Sequence, residues 1–241
     1  MLRILGVKVD KCNMQQAVER IACWVEKEHG RLHRVVTINP EGIWIARHDE
    51  QFARIVEQAD LVSADGSGVL WAASKLGSPM QERVTGIDLL EHLCQRAAKQ
   101  GWRVYLLGAK PGFANEAAQV LCSRYPGLII AGCENGYFRD REDQVLADIR
   151  AASADILFAA LGMPFQEKWI YAHAEELGCT VAVGVGGSFD VISGHVRRAP
   201  ALWQKLRLEW LWRLLSDPKR WRRYLVIPKY MWAVHRQSRH K

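Results

Sequence analysis

The chain has 241 residues and a formal net charge of +7, a length that allows one large domain or one domain with an appendage. Its apolar runs are shorter than the roughly 18 to 20 residues of a membrane-spanning helix, and its N-terminus lacks the pattern of a signal peptide, so we expect a cytosolic protein. The six cysteines lie far apart without a C-x-x-C pair, which argues against a zinc or redox motif.

Six short apolar runs alternate with amphipathic stretches through residues 1–196. Helical periodicity marks the stretches between the runs, as at 13–28, 85–100 and 141–152. Continuous apolar strands between amphipathic helices are typical of a parallel sheet that is covered on both faces. The sequence therefore predicts an α/β fold, a Rossmann-like and mostly parallel sheet covered by helices. The predicted strands are RVVTIN (34–39), DLVSAD (60–65), RVYLLG (103–108), LIIAG (128–132), DILFAALG (155–162) and TVAVGVGG (180–187).

Polar and small residues close several of these predicted strands. Thr37 and Asn39 end the first, Asp65 ends the second, and Gly186 and Gly187 end the last. Ligands of open α/β sheets bind beyond the carboxyl ends of the strands. Asp65 has a simpler explanation as a helix N-cap, a position that aspartate favours. The convergence of several strand ends on one crevice nevertheless favours a functional role for Asp65.

Three more candidates follow in the loops. Arg83 in ERVTG carries a forked donor that suits phosphate, although a lone arginine before a helix is more often a surface charge. Gln166 and Glu167 in GMPFQEKW begin a predicted helix, and we expect both to point toward the crevice. The GVGGSFD stretch (184–190) lacks the G-x-G-x-x-G spacing of a dinucleotide site and suits a diphosphate-binding turn better. Asp190 is either a ligand contact or an ordinary surface acid.

We expect neither a metal ion nor another cofactor. No Asp-x-Asp follows an apolar strand, and no His and Asp cluster has the spacing of metal ligands. Protein cations and helix termini would then have to stabilise any leaving phosphate.

The end of the chain, 197–241, is predicted to be a basic, tryptophan-rich helical appendage. It carries 13 Lys and Arg against 2 acidic residues, a net +11, whereas residues 1–196 carry 20 against 24, a net −4. Five of the ten tryptophans also lie there. Such a segment suits an anionic membrane surface, and the alternative is a packed helix with solvated charges. Nucleic acid is disfavoured because the body is acidic and lacks a recognition motif.

A family resemblance is carried by motifs spread over nearly the whole chain. They resemble, in order, those of the WecG/TagA/CpsF family of bacterial glycosyltransferases. Members transfer a sugar from a nucleotide-sugar donor to an undecaprenyl-diphosphate-linked sugar at the cytoplasmic face of the membrane. The motifs are TINPE, ADGSGV, RVTGIDL, LLGAKPG, GYF, LGMPFQEKW, GVGGSFDVISGHVRRAP and LEWLWRLLSDPKRWRRY.

The resemblance also implies roles for single residues. Asp65, in the ADG motif, would be the general base. One departure is Phe165, where members usually carry lysine. The implied substrate-binding residues are Thr37, Asn39, Arg83 and Gln166, joined by the C-terminal Arg213, Arg220 and Arg223, which would close over the donor diphosphate.

The function implied is an inverting transfer of N-acetylmannosamine from UDP-N-acetylmannosamine to undecaprenyl-diphosphate-linked N-acetylglucosamine. Residues 37–62 resemble the teichoic-acid branch of the family. The alternatives are the same reaction with UDP-N-acetylmannosaminuronic acid or UDP-glucose, for common antigen, capsule or exopolysaccharide, and a non-catalytic peripheral membrane module. A nucleotide-dependent oxidoreductase is disfavoured by the missing glycine fingerprint. The protein is expected at the inner face of the cell membrane, with a homo-oligomer possible.

Overall fold

The computed structural model describes residues 1–28, 30–200, 202–203, 210–212, 221 and 225–239. Eight strands lie within these residues. They are β1 (Leu2–Ile4), β2 (Val7–Val9), β3 (His33–Ile38), β4 (Leu61–Ala64), β5 (Arg103–Gly108), β6 (Ile129–Glu134), β7 (Ile156–Ala160) and β8 (Val181–Gly184).

The central sheet confirms the predicted fold class. Its six strands run in the order β4-β3-β8-β7-β5-β6, and every neighbouring pair is parallel. Each of the six predicted apolar runs forms one of these strands; the limits coincide for β5, and the ends of the other five are shifted by up to three residues. All carboxyl ends therefore meet at one edge of the sheet, where parallel α/β proteins bind their ligands.

Helices begin and end where local chemistry favours it. The side chain of Asn13 accepts from the amide of Gln16, whose own side chain caps the amide of Asn13, which forms a capping box. Thr85 caps the fifth helix, and Gly101 ends it with a φ of 73°. The helices are α1 (Met14–Lys27), α2 (Pro40–Ala46), α3 (Glu50–Glu57), α4 (Ser67–Lys75), α5 (Gly86–Gln100), α6 (Phe113–Arg124), α7 (Glu142–Ala151), α8 (Phe165–Ala172), α9 (Ser188–Ile192) and α10 (Val226–Arg239), with a 3₁₀ turn at Arg139–Arg141.

Both faces of the sheet are covered, as the sequence predicts. Alternate residues of one strand enter different clusters: Val35 packs with residues of α1, α5 and α6, whereas Val36 packs with residues of α2, α3 and α4. Helices α7 and α8 cover the same face of the sheet as α2, where they pack on β5, β7 and β8. This two-sided burial explains why the strands are continuously apolar.

The sequence did not indicate how the two ends of the chain meet. Strands β1 and β2 form a small antiparallel hairpin, with a turn at Leu5 and Gly6. The side-chain oxygen of Gln237 in α10 accepts from the amide of Leu5 at 2.8 Å, and its nitrogen donates to the carbonyl of Arg3. Helix α10 thus packs on the body of the protein.

The buried side of α10 belongs to the main core. Tyr230 and Val234, one helical turn apart, join the cluster of α2, α3 and α4. Within the described part of the chain, no helix combines the length and the apolar character needed to cross a bilayer.

Candidate active site

The carboxyl ends of β3 and β8 are tied together by Thr37. Its buried hydroxyl donates a 2.8 Å hydrogen bond to the carbonyl oxygen of Gly184. The start of α5 approaches the same point: a Cβ on Gly86 would lie 3.1 Å from the Thr37 oxygen and 3.2 Å from the Cα of Val185. A glycine at 86 therefore lets three elements meet at the edge of the sheet.

Asp65 lies directly after β4 and does not serve as the N-cap of α4. That position belongs to Gly66, whose φ is 96°, and no side-chain cap is found among the described residues. The Asp65 carboxylate instead accepts from the amide of Gly86 at 3.4 Å, and the side chain is half-buried. The explanation of Asp65 as a simple cap is therefore wrong, because its carboxylate faces the first turn of α5.

Arg83 is brought to the same place by the segment that precedes α5. The amide of Val84 donates to the carbonyl of Ala64, and the hydroxyl of Ser63 donates to the carbonyl of Val84. These bonds hold residues 83–86 along the end of β4, so that half-buried Arg83 and Asp65 belong to one neighbourhood. A cation and a carboxylate at one strand end can serve a leaving diphosphate and an attacking hydroxyl.

Gln166 is one of the most buried polar side chains, with an exposed fraction of 1%. Its side-chain oxygen accepts from the amides of Gly162 at 3.2 Å and Gly186 at 3.1 Å. Its nitrogen donates to Glu167 at 2.8 Å. The amide therefore bridges the turns that follow β7 and β8. The sequence predicts that Gln166 points toward the crevice, whereas its observed hydrogen bonds go to the backbone of these turns and to Glu167.

The side chain of Glu167 also lies elsewhere than the sequence predicts. It lies between the sheet and helices α3 and α8, not in the crevice. Its exposed fraction is 3%, and it lines a cavity of about 10 Å³ with Arg34, Ile55 and Ala182 among the neighbours. Burial raises the pKa of this carboxyl to about 7. Sequence reasoning did not assign Glu167 a role, although its place beside Gln166 was a signal.

The glycine turn after β8 contains Gly186, Gly187 and Asp190. Gly186 adopts a φ of 54°, and its amide is committed to Gln166. Gly187 is exposed and caps α9, and a Cβ there would lie 3.6 Å from a carboxylate oxygen of Asp190. Asp190 is half-buried on the first turn of α9. The turn lies next to the Thr37 and Gly184 contact, at the same edge as Asp65.

Asn39 caps α2, where its side-chain oxygen accepts from the amide of Gly42 at 2.8 Å. It lies two residues after Thr37 and so belongs to the same edge. The predicted diphosphate-binding arginines lie outside the described residues. These are Arg213, Arg220 and Arg223.

A further ion pair near the site is not predicted by the sequence. Arg198 binds Asp88 at 2.6 Å, and Asp88 also accepts from the hydroxyl of Thr85, the cap of α5. The pair fixes the segment after α9 against the first turn of α5. The T-x-x-D spacing of Thr85 and Asp88 was a readable signal for the cap.

Position 165 keeps a cation nearby despite the missing lysine. Phe165 is partly exposed, and the guanidinium of Arg139 lies 6.0 Å from the centre of its ring. Throughout the described ranges, no three His, Cys, Asp or Glu side chains converge as a metal site would require.

Comparison with known proteins decides the family. A sequence model described as "Glycosyl transferase WecG/TagA/CpsF family" matches residues 2–241. The chain belongs to the WecG/TagA/CpsF family. The resemblance of the motifs to this family of glycosyltransferases is thereby confirmed.

Three curated relatives share one printed name, N-acetylglucosaminyldiphosphoundecaprenol N-acetyl-beta-D-mannosaminyltransferase. The protein from Bacillus spizizenii is 40% identical over 85% of this chain and 79% of its own length. The Bacillus subtilis protein is 37% identical over 86% of this chain and 80% of its own length. The Staphylococcus aureus (strain MW2) protein is 34% identical over 98% of this chain and 92% of its own length. The family membership therefore extends through both the sheet and the basic C-terminal segment.

Proposed function

We propose that this glycosyltransferase moves N-acetylmannosamine from UDP-N-acetylmannosamine to undecaprenyl-diphosphate-linked N-acetylglucosamine. The observation that carries the proposal is the meeting of Asp65, the Arg83 segment and the glycine turn at one edge of the sheet, in a chain of this family. The names of the relatives support this choice of donor and acceptor.

In the proposed reaction, Asp65 acts as the general base. Its half-buried carboxylate takes the proton of an acceptor hydroxyl while that oxygen attacks the anomeric carbon of the donor. The bond between the anomeric carbon and the phosphate oxygen breaks, and UDP leaves with the electron pair. Attack from the face opposite UDP inverts the anomeric centre.

The departing UDP needs positive potential. Arg83, held beside the end of β4, supplies a cation, and the start of α5 directs its amides toward the same edge. Gly187 and Asp190 line the neighbouring turn, where a diphosphate and a sugar hydroxyl would be accommodated. We assign the closing role to Arg213, Arg220 and Arg223 on the family resemblance. No metal ion is part of this scheme.

The acceptor is lipid-linked, so we also propose that the protein docks on the anionic inner face of the membrane. Helix α10 supports this, because its sequence contains no acidic residue and its outer side carries Lys229, Arg236 and Arg239. Trp232 is 64% exposed there, with the guanidinium of Arg236 5.7 Å from its ring. An exposed tryptophan among cations suits the interface of an anionic bilayer.

A donor and acceptor screen tests the function. Purified protein is incubated with a short-chain lipid-diphosphate N-acetylglucosamine and, in parallel, UDP-N-acetylmannosamine, UDP-N-acetylmannosaminuronic acid or UDP-glucose. We expect a disaccharide product and released UDP with the first donor. A preference of at least tenfold for another donor would overturn the proposed sugar. No product with any donor would favour a non-catalytic membrane module.

A further inference from the structure

The first turn of α8 contains two adjacent buried polar side chains that the proposed chemistry does not use directly. Gln166 joins the turns after β7 and β8 through its oxygen, and Glu167 receives the hydrogen bond from its nitrogen. Both are almost fully buried. Buried polar groups are costly unless hydrogen-bonded, so this arrangement requires an explanation.

An amide side chain can be placed in two orientations that differ by exchange of its oxygen and nitrogen. In the observed orientation, the oxygen faces two amide donors, those of Gly162 and Gly186, and the nitrogen faces an acceptor. The reversed orientation would point the nitrogen at both donors and the oxygen at Glu167. The carboxyl oxygen of Glu167 thus discriminates between the two orientations.

Close packing preserves this arrangement. A Cβ on Gly184 would lie 2.6 Å from the Gln166 nitrogen and 3.0 Å from a Glu167 oxygen, so the glycine lets both side chains lie against β8. The carbonyl of Gly184 in turn accepts from Thr37. The Glu167 and Gln166 pair is therefore continuous with the edge of the sheet that carries the candidate active site.

We propose that Glu167 is a positioning residue that holds the Gln166 amide in the orientation required to fix the turns at Gly162 and Gly186. Its link to catalysis rests on the proposed function, in which the glycine turn 184–187 accommodates the donor diphosphate. Glu167 itself does not touch the substrate.

The surroundings of Glu167 favour a neutral acceptor. Its other oxygen, Oε2, has no hydrogen-bond partner among the described residues, and the charged side chain of Arg34 lines the same small cavity. The Arg34 guanidinium donates to the carbonyl of Gln58 and lies 5.0 Å from the centre of the Tyr171 ring. Burial raises the pKa of Glu167 to about 7, so the proton can reside on Oε2 while Oε1 accepts from Gln166.

The experiment compares Glu167→Leu with Glu167→Gln and with Lys168→Met. Leucine removes the acceptor, whereas glutamine keeps an accepting oxygen in the same shape. Lys168→Met breaks the ion pair of Lys168 with Asp49 at 2.6 Å, which anchors the same helix without touching Gln166. Amide hydrogen exchange at Gly162 and Gly186, measured without substrate, reports the turns directly.

We expect Glu167→Leu to speed exchange at both glycine amides by about threefold to tenfold, because the loss of one hydrogen bond has an effect of this size. The variant should also raise the KM for the donor more than it lowers kcat. Glu167→Gln and Lys168→Met should match the original protein in both measurements. Unchanged exchange in a folded Glu167→Leu variant would overturn the inference. Equal acceleration in Lys168→Met would also overturn it, because general loosening of α8 would then be the cause.

The same variants separate this inference from the proposed function. Faster exchange in Glu167→Leu with an unchanged donor KM supports the positioning role and rejects the glycine turn as the donor site.

A pH series gives a second readout, because a raised folded-state pKa means that the folded protein holds the proton more tightly than the unfolded chain. The midpoint of unfolding should therefore fall, relative to that of Glu167→Gln, as the pH rises from about 4.5 to about 7. Parallel curves would contradict a buried, protonated Glu167.

Discussion

The hydroxyl of Thr37 donates to the carbonyl oxygen of Gly184 across the boundary of β3 and β8, at 2.8 Å. This bond joins the strand that leads to Asn39 with the strand that leads to the glycine turn. A change in the position of one strand end is therefore transmitted to the other. Substitutions on the β8 side should consequently disturb both the stability of the sheet edge and the binding of donor.

Gly184→Ala should destabilise the protein and weaken donor binding. The added methyl would lie 2.6 Å from the Gln166 nitrogen, and overpacking of a filled core costs about 1–3 kcal/mol. Thermal unfolding and the donor KM measure the two effects. Gly187→Ala is the matched control for thermal unfolding, because its methyl would meet Asp190 only at 3.6 Å and its φ of −81° suits alanine. An equal loss of thermal stability in the two variants would argue against the close packing at 184.

Asp65→Asn should keep the fold and donor binding but lower kcat by about 100- to 10,000-fold, since an amide cannot take the proton. Steady-state transfer to a soluble acceptor measures kcat, and calorimetry measures donor binding. Asp143→Asn, on the exposed start of α7, is the control and should retain full activity. Retention of more than roughly a tenth of the original turnover would exclude Asp65 as the base.

Transfer should persist in EDTA, because arginines and helix termini can provide the positive potential for departing UDP. The rate is measured before and after dialysis against the chelator, with magnesium or manganese added back to a second sample. Loss of activity that either metal restores would contradict the metal-free scheme.

Trp232→Ala should reduce binding to vesicles that contain phosphatidylglycerol by roughly threefold to tenfold, while transfer to a soluble acceptor stays unchanged. Tyr137→Ala is the control, because Tyr137 is 69% exposed but lies after β6, away from α10. Salt should weaken vesicle binding, since the Debye length shortens from about 10 Å at 0.1 M to about 3 Å at 1 M. Equal binding of both variants would count against docking through α10.

Point substitutions are needed for that test because a deletion would damage the core. Removing residues 202–241 would take away Tyr230 and Val234, which pack with α2, α3 and α4. A truncated protein could then lose membrane binding and transfer through partial unfolding alone. Replacing Arg213, Arg220 and Arg223 together by glutamine leaves Tyr230 and Val234 in the chain and should lower transfer to a soluble acceptor.

Acidification should destabilise the protein through His33. This fully buried ring stacks on Trp24 at 4.5 Å, and neither ring nitrogen has a hydrogen-bond partner among the described residues. Burial, assisted by Arg31, lowers its pKa, although Asp60 and Glu28 oppose the shift. The unfolded chain therefore binds the proton more readily, and stability should fall as the pH drops below about 6.5.

Thermal unfolding between about pH 5 and pH 8 measures this effect. His33→Phe keeps the stack on Trp24 but cannot take up a proton, so its curve should fall less steeply on the acid side. His92→Phe, on the exposed surface of α5, is the control and should follow the original protein. Identical slopes for both variants would show that His33 does not carry the acid sensitivity.

The fold was predictable because each strand of the sheet is buried on both faces. Such strands occur in the sequence as continuous apolar runs. The run at 103–108 is an example, and its predicted and observed limits coincide. The sequence does not predict the small hairpin, because each of its strands has only three residues and a charged residue interrupts each one. The tryptophan and cations of α10 predict an exposed, membrane-binding helix, whereas the spacing of Tyr230 and Val234 marks its buried side.

The site was predictable in location but not in orientation. Sequence order places Asp65, Thr37 and Gly186 at strand ends, and parallel pairing brings the ends together. The direction of Gln166 depends on how the first turn of α8 meets β8, which no local pattern encodes. Asp65 posed a similar problem, because aspartate, glycine and serine in ADGS are all good N-caps, and only the backbone decides among them.

The hydrogen bonds of Gln237 with Leu5 and Arg3 have a consequence for the order of synthesis. The hairpin leaves the ribosome long before the helix that covers it, because 232 residues separate Leu5 from Gln237. Until then, the apolar surfaces of α2 and α4 that receive Tyr230 and Val234 remain open to water and to other nascent chains. Completion of this half of the core therefore waits for the synthesis of α10, and the exposed cationic side of that helix becomes available at the same time.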